Sequence, residues 1–155
     1  MNHITDRRRK RLFLVNIQRK IKLDLDYLQK LINHFERRLT CSIVKIDIVL
    51  VGDRKIIKLN KLFLNKNQPT DVLTFNLGST AEIIISVETA KRQALQESHS
   101  VEQEILYLII HGILHISGYD DSKPASYDKM KRKQDEIFFA VLRDFDEKRK
   151  KSGHC

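Results

Sequence analysis

Residues 100–117 constrain the fold more than any other segment, because apolar side chains surround nearly the whole of the helix that they predict. The apolar residues are Ile105, Leu106, Leu108, Ile109, Ile110, Ile113, Leu114 and Ile116. A helix that is apolar on all sides is buried by the elements around it. Ser100 and Gln103 have the spacing of a capping box at its start, and Gly118 is typical of the residue that ends a helix. The sequence therefore predicts a central helix that other elements cover.

Two histidines lie within this helix. His111 and His115 are four residues apart, so their imidazoles share one face, one turn above each other. Because the helix is buried, we expect both imidazoles in the core, where each must join a polar network or bind a metal. The turn at Gly118 brings two carboxylates, Asp120 and Asp121, back towards this face. Two nitrogen donors and one oxygen donor suit a divalent ion such as zinc and leave a coordination position open for water.

Gly112 lies between the two histidines, although glycine within a helix costs about 1 kcal/mol relative to alanine. Its position predicts that another chain segment or a substrate packs closely against this face. It also argues against one class of enzyme. In the His-Glu-x-x-His metalloproteases the glutamate beside the first histidine is the general base, and Gly112 has no side chain. Peptide hydrolysis by that mechanism is therefore not expected.

The remaining segments predict a mixture of strands and helices. Apolar runs predict strands at residues 11–17, 42–51, 72–77 and 82–87. Helical spacing predicts four further helices, which begin near Asp24 or Asp26, Asp53, Glu88 and Ser126, with the first two started by aspartate caps. The second strand is expected to place four apolar residues on one side of the sheet: Val44, Ile46, Ile48 and Leu50. We predict an α+β fold in which a small mixed β-sheet is covered by helices and the His-x-x-x-His pair lies on a buried helix, a zincin-like arrangement.

The bulk composition indicates one soluble domain. A chain of 155 residues that is 41% hydrophobic can bury one core, and we expect a single domain over residues 1–155. No apolar run approaches the roughly 18 residues that cross a bilayer, and the basic start lacks the apolar stretch of a secretory signal. The two cysteines, Cys41 and Cys155, indicate neither a disulfide framework nor a cysteine zinc site. We expect a cytoplasmic protein without a membrane partner.

The chain carries 29 Lys and Arg residues against 20 Asp and Glu residues, a formal net charge of +9. This excess favours an anionic partner, nucleic acid first, through neutralisation of phosphates and release of counterions. Basic runs at residues 7–11, 129–133 and 148–151 are candidates for a phosphate-tracking surface, and the first run consists of Arg7, Arg8, Arg9, Lys10 and Arg11. The alternative is that these residues only solvate helix faces and tails.

Three motifs carry a family resemblance. Residues 111–121 read His-Gly-Ile-Leu-His-Ile-Ser-Gly-Tyr-Asp-Asp, and Leu-Asn at residues 59–60 precedes Pro-Thr-Asp-Val-Leu-Thr-Phe at residues 69–75. Residues 84–94 form a further block. Over most of its length the chain resembles the YbeY family of bacterial metal-dependent endoribonucleases. The resemblance implies a single-strand-specific endoribonuclease that acts in ribosomal RNA maturation, at the 3′ end of the small-subunit RNA, and in ribosome quality control.

The resemblance also implies site residues. The family's three metal ligands fall on His111, His115 and Asp121, so a carboxylate stands where the family has its third histidine. Two histidines and a carboxylate remain an acceptable set for one zinc ion, and we expect no organic cofactor. Ribosomal RNA is the expected partner, with ribosomal proteins as further partners. The family's arginine that assists catalysis falls on Leu64, so the cation that steadies a phosphate is missing at that position.

Four other residues have both a functional and a structural interpretation. Asp120 either orients a metal ligand or is a turn residue. Thr70 and Asp71 either line the substrate cleft or form a Pro-Thr-Asp turn. Ser86 either faces the substrate backbone or caps the following helix, and capping is the simpler interpretation.

Two other functions compete with RNA cleavage. One is a non-catalytic or weakly catalytic RNA-binding factor of ribosome assembly, in which the metal only braces the Gly118 turn, and Leu64 favours it. The other is a non-haem iron enzyme, since two histidines and a carboxylate leave open positions on iron. The single-helix spacing of the histidines and the basic composition favour RNA cleavage over the iron enzyme.

Overall fold

Four strands form one mixed sheet in this computed structural model, which describes residues 10–152. The strands are β1 (Leu12–Asn16), β2 (Lys45–Val51), β3 (Val72–Asn76) and β4 (Thr80–Ser86), in the spatial order β1-β2-β4-β3. β1, β2 and β4 are parallel, and β3 is an antiparallel edge strand. The apolar, β-branched residues of β2 and β4 suit the two central positions, where both faces of a strand are covered.

Five helices of the described residues cover this sheet. They are α1 (Leu25–Glu36), α2 (Asp53–Leu64), α3 (Val87–Glu97), α4 (Val101–Ile116) and α5 (Pro124–Ser152). The predicted α+β fold is therefore confirmed. The predicted central helix is α4, and both hydrogen bonds of the capping box between Ser100 and Gln103 are present at its start. None of these helices is long and apolar enough to cross a membrane.

Most of the hydrophobic core lies between the sheet and helices α1 and α4, and α5 packs against these two helices. Ile46, Ile48 and Leu50 of β2 are fully buried there, as predicted. The close approach predicted at Gly112 is also present, because a Cβ atom there would lie 3.0 Å from Thr74 Cγ2 and 3.1 Å from Ile83 Cδ1. The lack of a side chain at Gly112 lets the backbone of α4 lie directly on β3 and β4.

The opposite face of the sheet carries a smaller core under α2. Its buried residues are Val51, Ile56, Leu73 and Ile84. Asn65 caps the C-terminus of α2, where it has a left-handed φ of 55° and donates its amide to backbone carbonyls of the last turn. Leu62 and Leu64, near this end, are exposed, so the α2 face is only partly covered.

Several element boundaries differ from the prediction. Val44 is exposed and precedes β2, because pairing with β4 begins only at Lys45. Of the two aspartates proposed to cap α1, Asp24 accepts the hydrogen bond from the third amide. α5 begins at Pro124 rather than Ser126, since proline has no amide hydrogen to satisfy and its φ suits the first turn of a helix.

Asp53 does not cap α2, contrary to the prediction. Gly52 is the N-cap residue and makes no side-chain hydrogen bond, and Asp53 is the first residue of the helix. Its carboxylate accepts hydrogen bonds from the hydroxyls of Ser86 and Thr89 and pairs with Arg92 at 2.9 Å. Burial raises the pKa of Asp53, but these partners outweigh it and hold the pKa below its ordinary value. Asp53 therefore ties α2 to α3.

Candidate metal centre

His111 and His115 lie on the last two turns of α4. Their Nε2 atoms are 3.1 Å apart. Their side chains are 24% and 27% exposed, so the prediction that they lie in the core is wrong. The sheet and the neighbouring helices cover the other sides of α4, whereas the side that carries His111 opens into a cleft. These imidazoles are therefore accessible to a ligand.

The turn after α4 returns a carboxylate to the two histidines. Gly118 has a left-handed φ of +102°, which glycine adopts without steric cost. Its amide and the next one donate to carbonyl oxygens of the last helical turn, both at 3.0 Å, which is the hydrogen-bond pattern of a Schellman motif. As the chain reverses, Asp121 Oδ2 comes to lie 3.4 Å from His115 Nε2 and 3.8 Å from His111 Nε2.

These three side chains fit a divalent metal ion. Their donor atoms all lie within 4.8 Å of one another, and no other group of three such side chains occurs among residues 10–152. Nitrogen and oxygen ligands lie about 2.0–2.2 Å from zinc. Three ligand atoms at that distance from one ion lie a few ångströms from one another. The measured distances between the three donor atoms, 3.1, 3.4 and 3.8 Å, agree with this. His111, His115 and Asp121 could therefore hold one ion between them.

Gln134 holds His111 in position, and sequence reasoning did not identify it. Its Oε1 lies 3.0 Å from His111 Nδ1, and its Nε2 donates to the carbonyl oxygen of Tyr107 at 3.0 Å. Because Tyr107 fixes the amide, the oxygen accepts the Nδ1 proton and leaves the Nε2 lone pair of His111 free for a metal. The buried stripe of α5 consists of Met130, Gln134, Phe138 and Val141. A glutamine within this otherwise apolar stripe was the sequence feature that could have identified Gln134 as a functional residue.

Asp120 is engaged within the turn rather than with the histidines. Its Oδ1 accepts from the amide of Ser122 at 3.0 Å, and its Oδ2 accepts from the Ser122 hydroxyl at 2.6 Å. These hydrogen bonds hold the pKa of the exposed Asp120 carboxyl below its ordinary value. Of its two interpretations, the geometry corresponds to the turn residue.

Asp71 and Ser86 lie in different environments. Asp71 lines the cleft beside His111, where its Oδ1 accepts from the amide of Val72 at 2.8 Å and its Oδ2 from Gln93 at 3.2 Å. Its neighbour Thr70 is half-buried. Ser86 is fully buried, donates to Asp53 and accepts from the third amide of α3 at 3.3 Å, so it has the capping role and presents no surface to a substrate.

The described residues of the first basic run do not lie at this centre. Arg7, Arg8 and Arg9 lie outside the described residues. Lys10 is exposed, and Arg11 donates to the carbonyl oxygens of Leu39 and Cys41, which is a structural role. Both precede β1, at the edge of the sheet opposite β3, whereas the histidine helix lies against β3 and β4.

Leu64 is likewise separate from the cleft. It is the last residue of α2, 54% exposed, on the side of the sheet opposite α4. It does not line the cleft beside His111. The geometry therefore gives Leu64 no contact with the three candidate ligands.

The cleft itself extends well beyond the three candidate ligands. It has a volume of about 750 Å³ and lies between the C-terminal half of α3, α4 and α5. One end is lined by His111 and Asp121, and the other by His99 and Glu104, whose side chains contact each other. Burial raises the pKa of Glu104, and the contact with His99 opposes this only in part. The sequence motifs gave no indication of this second acidic group.

The chain is similar to proteins of one known family. The sequence model of the family described as Endoribonuclease YbeY matches residues 13–141. The chain belongs to the YbeY family. A YbeY endoribonuclease from Syntrophus aciditrophicus is 33% identical over 138 residues, which cover 81% of this chain and 86% of that protein. A YbeY endoribonuclease from Aquifex aeolicus is 32% identical over 143 residues, which cover 88% and 95%.

The fold is also similar to a known structure. The solution structure of a protein from Thermotoga maritima aligns with a TM-score of 0.60 and 26% sequence identity. The alignment covers 88% of this chain and 93% of that protein. The relatives are named endoribonucleases, which are enzymes that cleave RNA internally. Membership of this family confirms the resemblance seen in the motifs.

Proposed function

We propose that this protein is a metal-dependent endoribonuclease that cleaves single-stranded RNA in ribosomal RNA maturation, at the 3′ end of the small-subunit RNA, and in ribosome quality control. It acts as one domain in the cytoplasm, with one zinc ion, no organic cofactor, and ribosomal RNA and ribosomal proteins as partners. The observation that carries the proposal is the set of His111, His115 and Asp121 beside a cleft, in a YbeY family chain. The net charge of +9 supports an anionic substrate.

The described side chains could support hydrolysis that depends on a bound metal ion. His111, His115 and Asp121 would hold the ion, and Gln134 keeps the Nε2 lone pair of His111 available for it. A divalent ion lowers the pKa of water and polarises a phosphoryl oxygen, which is the chemistry that cleavage of a phosphodiester needs. Gly118 places the Asp121 carboxylate through the backbone turn itself.

The shape of the cleft supports a single-stranded substrate. Its volume of about 750 Å³ is in the range of a site for one small molecule and is far too small for a duplex. Single-stranded RNA can present an unstacked nucleotide to such a site, whereas a paired base is held inside its helix. A strand that passes over the cleft would bring one phosphate to His111 and Asp121.

The competing function is an RNA-binding assembly factor with little or no cleavage. The observation that favours it is Leu64, which is exposed and offers no cation where the family resemblance places an arginine. In that case the metal would brace the Gly118 turn without a reaction. The two functions differ in whether removal of a metal ligand abolishes an activity or only lowers stability.

The test is metal analysis of protein purified without added metal, together with cleavage of single-stranded RNA by the wild type and by His115→Ala and Asp121→Ala. We expect about one zinc per chain in the wild type and loss of both metal and cleavage in the two variants. Asp120→Ala is the matched control, because Asp120 is also an aspartate of this turn but its carboxylate accepts hydrogen bonds from Ser122 rather than facing the histidines. It should retain metal and cleavage.

Each contrary result has a distinct meaning. Cleavage that survives His115→Ala and Asp121→Ala contradicts the metal mechanism. Bound zinc without cleavage by the wild type favours the assembly factor, and bound iron favours the non-haem iron enzyme. Binding of RNA should also weaken steeply as salt is added, and a flat salt response contradicts an electrostatic RNA surface.

A further inference from the structure

We propose that the cleft beside the metal centre binds one nucleobase of the RNA next to the scissile phosphate and prefers a base with an exocyclic amino group, so that cytosine is bound better than uracil. The inference rests on the proposed function, because it assigns the cleft to the same substrate. It goes further in naming the residues that select the base, above all Glu104 and Phe139.

The cleft is continuous with the candidate metal centre. His111 and Asp121 line one end, and His99 and Glu104 line the other. Glu104 precedes His111 by seven residues on α4, which corresponds to roughly 10 Å along a helix axis. A nucleotide whose phosphate lies at the metal centre would therefore place its base at the end of the cleft that His99 and Glu104 line.

The charge of the cleft excludes a second phosphate as its occupant. The chain as a whole carries a net charge of +9, yet carboxylates predominate here. The charged residues along the cleft, apart from histidines, are Asp71, Glu97, Glu104, Asp121, Asp135 and Lys131. Apart from the candidate metal ligand Asp121, four carboxyl groups against one lysine disfavour an anion, so the part of the nucleotide that enters is the neutral base.

The charged hydrogen-bonding groups of the cleft are mainly acceptors. Four side-chain donors along it are already paired, namely His99 with Glu104, Tyr107 with Asp135 at 2.6 Å, Lys131 with Asp135 at 3.2 Å and Gln93 with Asp71 at 3.2 Å. An ionised carboxylate has about four lone-pair sites, so each of these acids can accept further hydrogen bonds. A base that offers donors is therefore the better partner.

Aromatic rings complete the site. Phe138 is buried at the base of the cleft and lies with its ring centroid 5.5 Å from that of His99. Phe139 and Tyr127 are 61% and 50% exposed at the same cleft. Exposed rings are costly in water but provide a flat surface on which an unstacked base can lie.

Cytosine and uracil are a suitable pair of bases to test this hydrogen-bond preference. They have nearly the same size, but cytosine has an amino donor where uracil has a carbonyl acceptor. A carboxylate accepts a hydrogen bond from the amino group and repels the carbonyl. We therefore expect the cleft to favour cytosine by about tenfold, which corresponds to one well-placed hydrogen bond to a charged group.

The test combines binding and cleavage on the zinc-loaded full chain. Cytidine and uridine monophosphates, which contain no internucleotide bond to cleave, are compared by calorimetric titration, and single-stranded oligomers that differ by one C→U change beside the cleavage position are compared by rate. The wild type should favour cytosine about tenfold in both measurements. Glu104→Gln, whose amide can donate as well as accept, should bring the ratio close to one.

Two further variants keep the test decisive if Glu104→Gln unfolds the protein. Phe139→Ala removes an exposed ring and should weaken both nucleotides by roughly tenfold while their ratio stays the same. Glu136→Gln removes an exposed carboxylate of α5 that does not line the cleft and should change neither affinity nor ratio. Equal binding of both nucleotides by the wild type overturns the inference, and so does an unchanged ratio in a folded Glu104→Gln protein.

The failure of this inference and that of the proposed function look different. If the oligomers are cleaved at equal rates regardless of the base, the base preference is wrong and the ribonuclease function stands. If no oligomer is cleaved but cytidine monophosphate is bound in preference and Glu104→Gln abolishes the preference, the base site stands and the ribonuclease function is wrong.

Discussion

The two faces of the central sheet differ in how well they can support a site. On one face α4 is covered by the sheet, α1 and α5, and its histidines project from a helix that is held on several sides. On the other face α2 packs on a small core and ends in exposed leucines. Ligands on a well-packed helix keep a fixed geometry. The packing that buries α4 therefore also positions its candidate metal ligands.

The largest expected effect is on the free energy of unfolding when a buried isoleucine is replaced by alanine in each of the two cores. Ile109 of α4 and Ile56 of α2 are both fully buried. Replacement of a buried isoleucine by alanine costs about 2–5 kcal/mol, and more where the surroundings cannot collapse into the cavity. We expect Ile109→Ala to lie near the upper end and Ile56→Ala near the lower end, measured by urea unfolding. Equal losses, or a larger loss for Ile56→Ala, contradict the difference between the two faces.

A second prediction concerns the support that α5 gives to the metal centre. Gln134→Ala removes the acceptor from His111 Nδ1, so the imidazole can adopt the wrong tautomer or turn away. Loss of such a partner typically lowers metal affinity about 10–100-fold. Competition against a chelating dye measures the affinity, with urea unfolding to confirm that the variant is folded. Asp120→Ala should leave the metal affinity unchanged. If a folded Gln134→Ala protein has the metal affinity of the wild type, Gln134 does not support the metal centre.

A third prediction contrasts two carboxyls whose pKa values move in opposite directions. The pKa of Asp53, on the α2 face, is held below its ordinary value of 3.8 because its hydrogen bonds outweigh burial. Folded protein therefore binds fewer protons than unfolded protein, and stability is lost as the pH falls below about 4 through the lowered pKa. Asp53→Asn should flatten this acid-side loss in urea unfolding curves measured from pH 3 to pH 8.

Glu104, on the α4 face, should show the opposite slope. Burial raises its pKa above the ordinary value of 4.5, so folded protein retains a proton that unfolded protein has lost. Its contribution to stability is present at low pH and is lost as the pH rises from about 4.5 through the raised pKa. Glu104→Gln should remove that loss in the same series. If the two substitutions change the pH dependence of the free energy of unfolding in the same direction, the assigned environments are contradicted.

The smallest expected effect on stability is at Leu64. Because Leu64 is 54% exposed, Leu64→Arg should change the free energy of unfolding by no more than about 0.5 kcal/mol. If RNA passes this end of α2, the new cation should strengthen RNA binding and steepen its salt dependence by roughly one unit of slope. Leu62→Arg, on the same helix and 74% exposed, tests whether the position or only the added charge matters. Identical changes in both variants indicate a non-specific effect of charge.

Much of the α4 face was predictable because its information is local. The apolar pattern of α4, the capping box at Ser100 and the left-handed turn at Gly118 are all set by residues within a few positions of each other. The same holds for the four-residue spacing of His111 and His115. Asp53 shows the limit of such reasoning, since a residue suited to cap α2 instead accepts hydrogen bonds from Ser86 and Thr89, at the start of α3 and more than thirty residues away.

The central helix, its ends and the candidate metal ligands could be predicted from the sequence, because backbone hydrogen bonds and helical periodicity fix them over short distances. Long-range packing placed His111 at a cleft, brought Gln134 to His111, and put Glu104 in the same cleft as the candidate metal centre. These contacts join α3, α4 and α5 through side-chain packing. Periodicity along one helix does not specify which face of another helix will meet it.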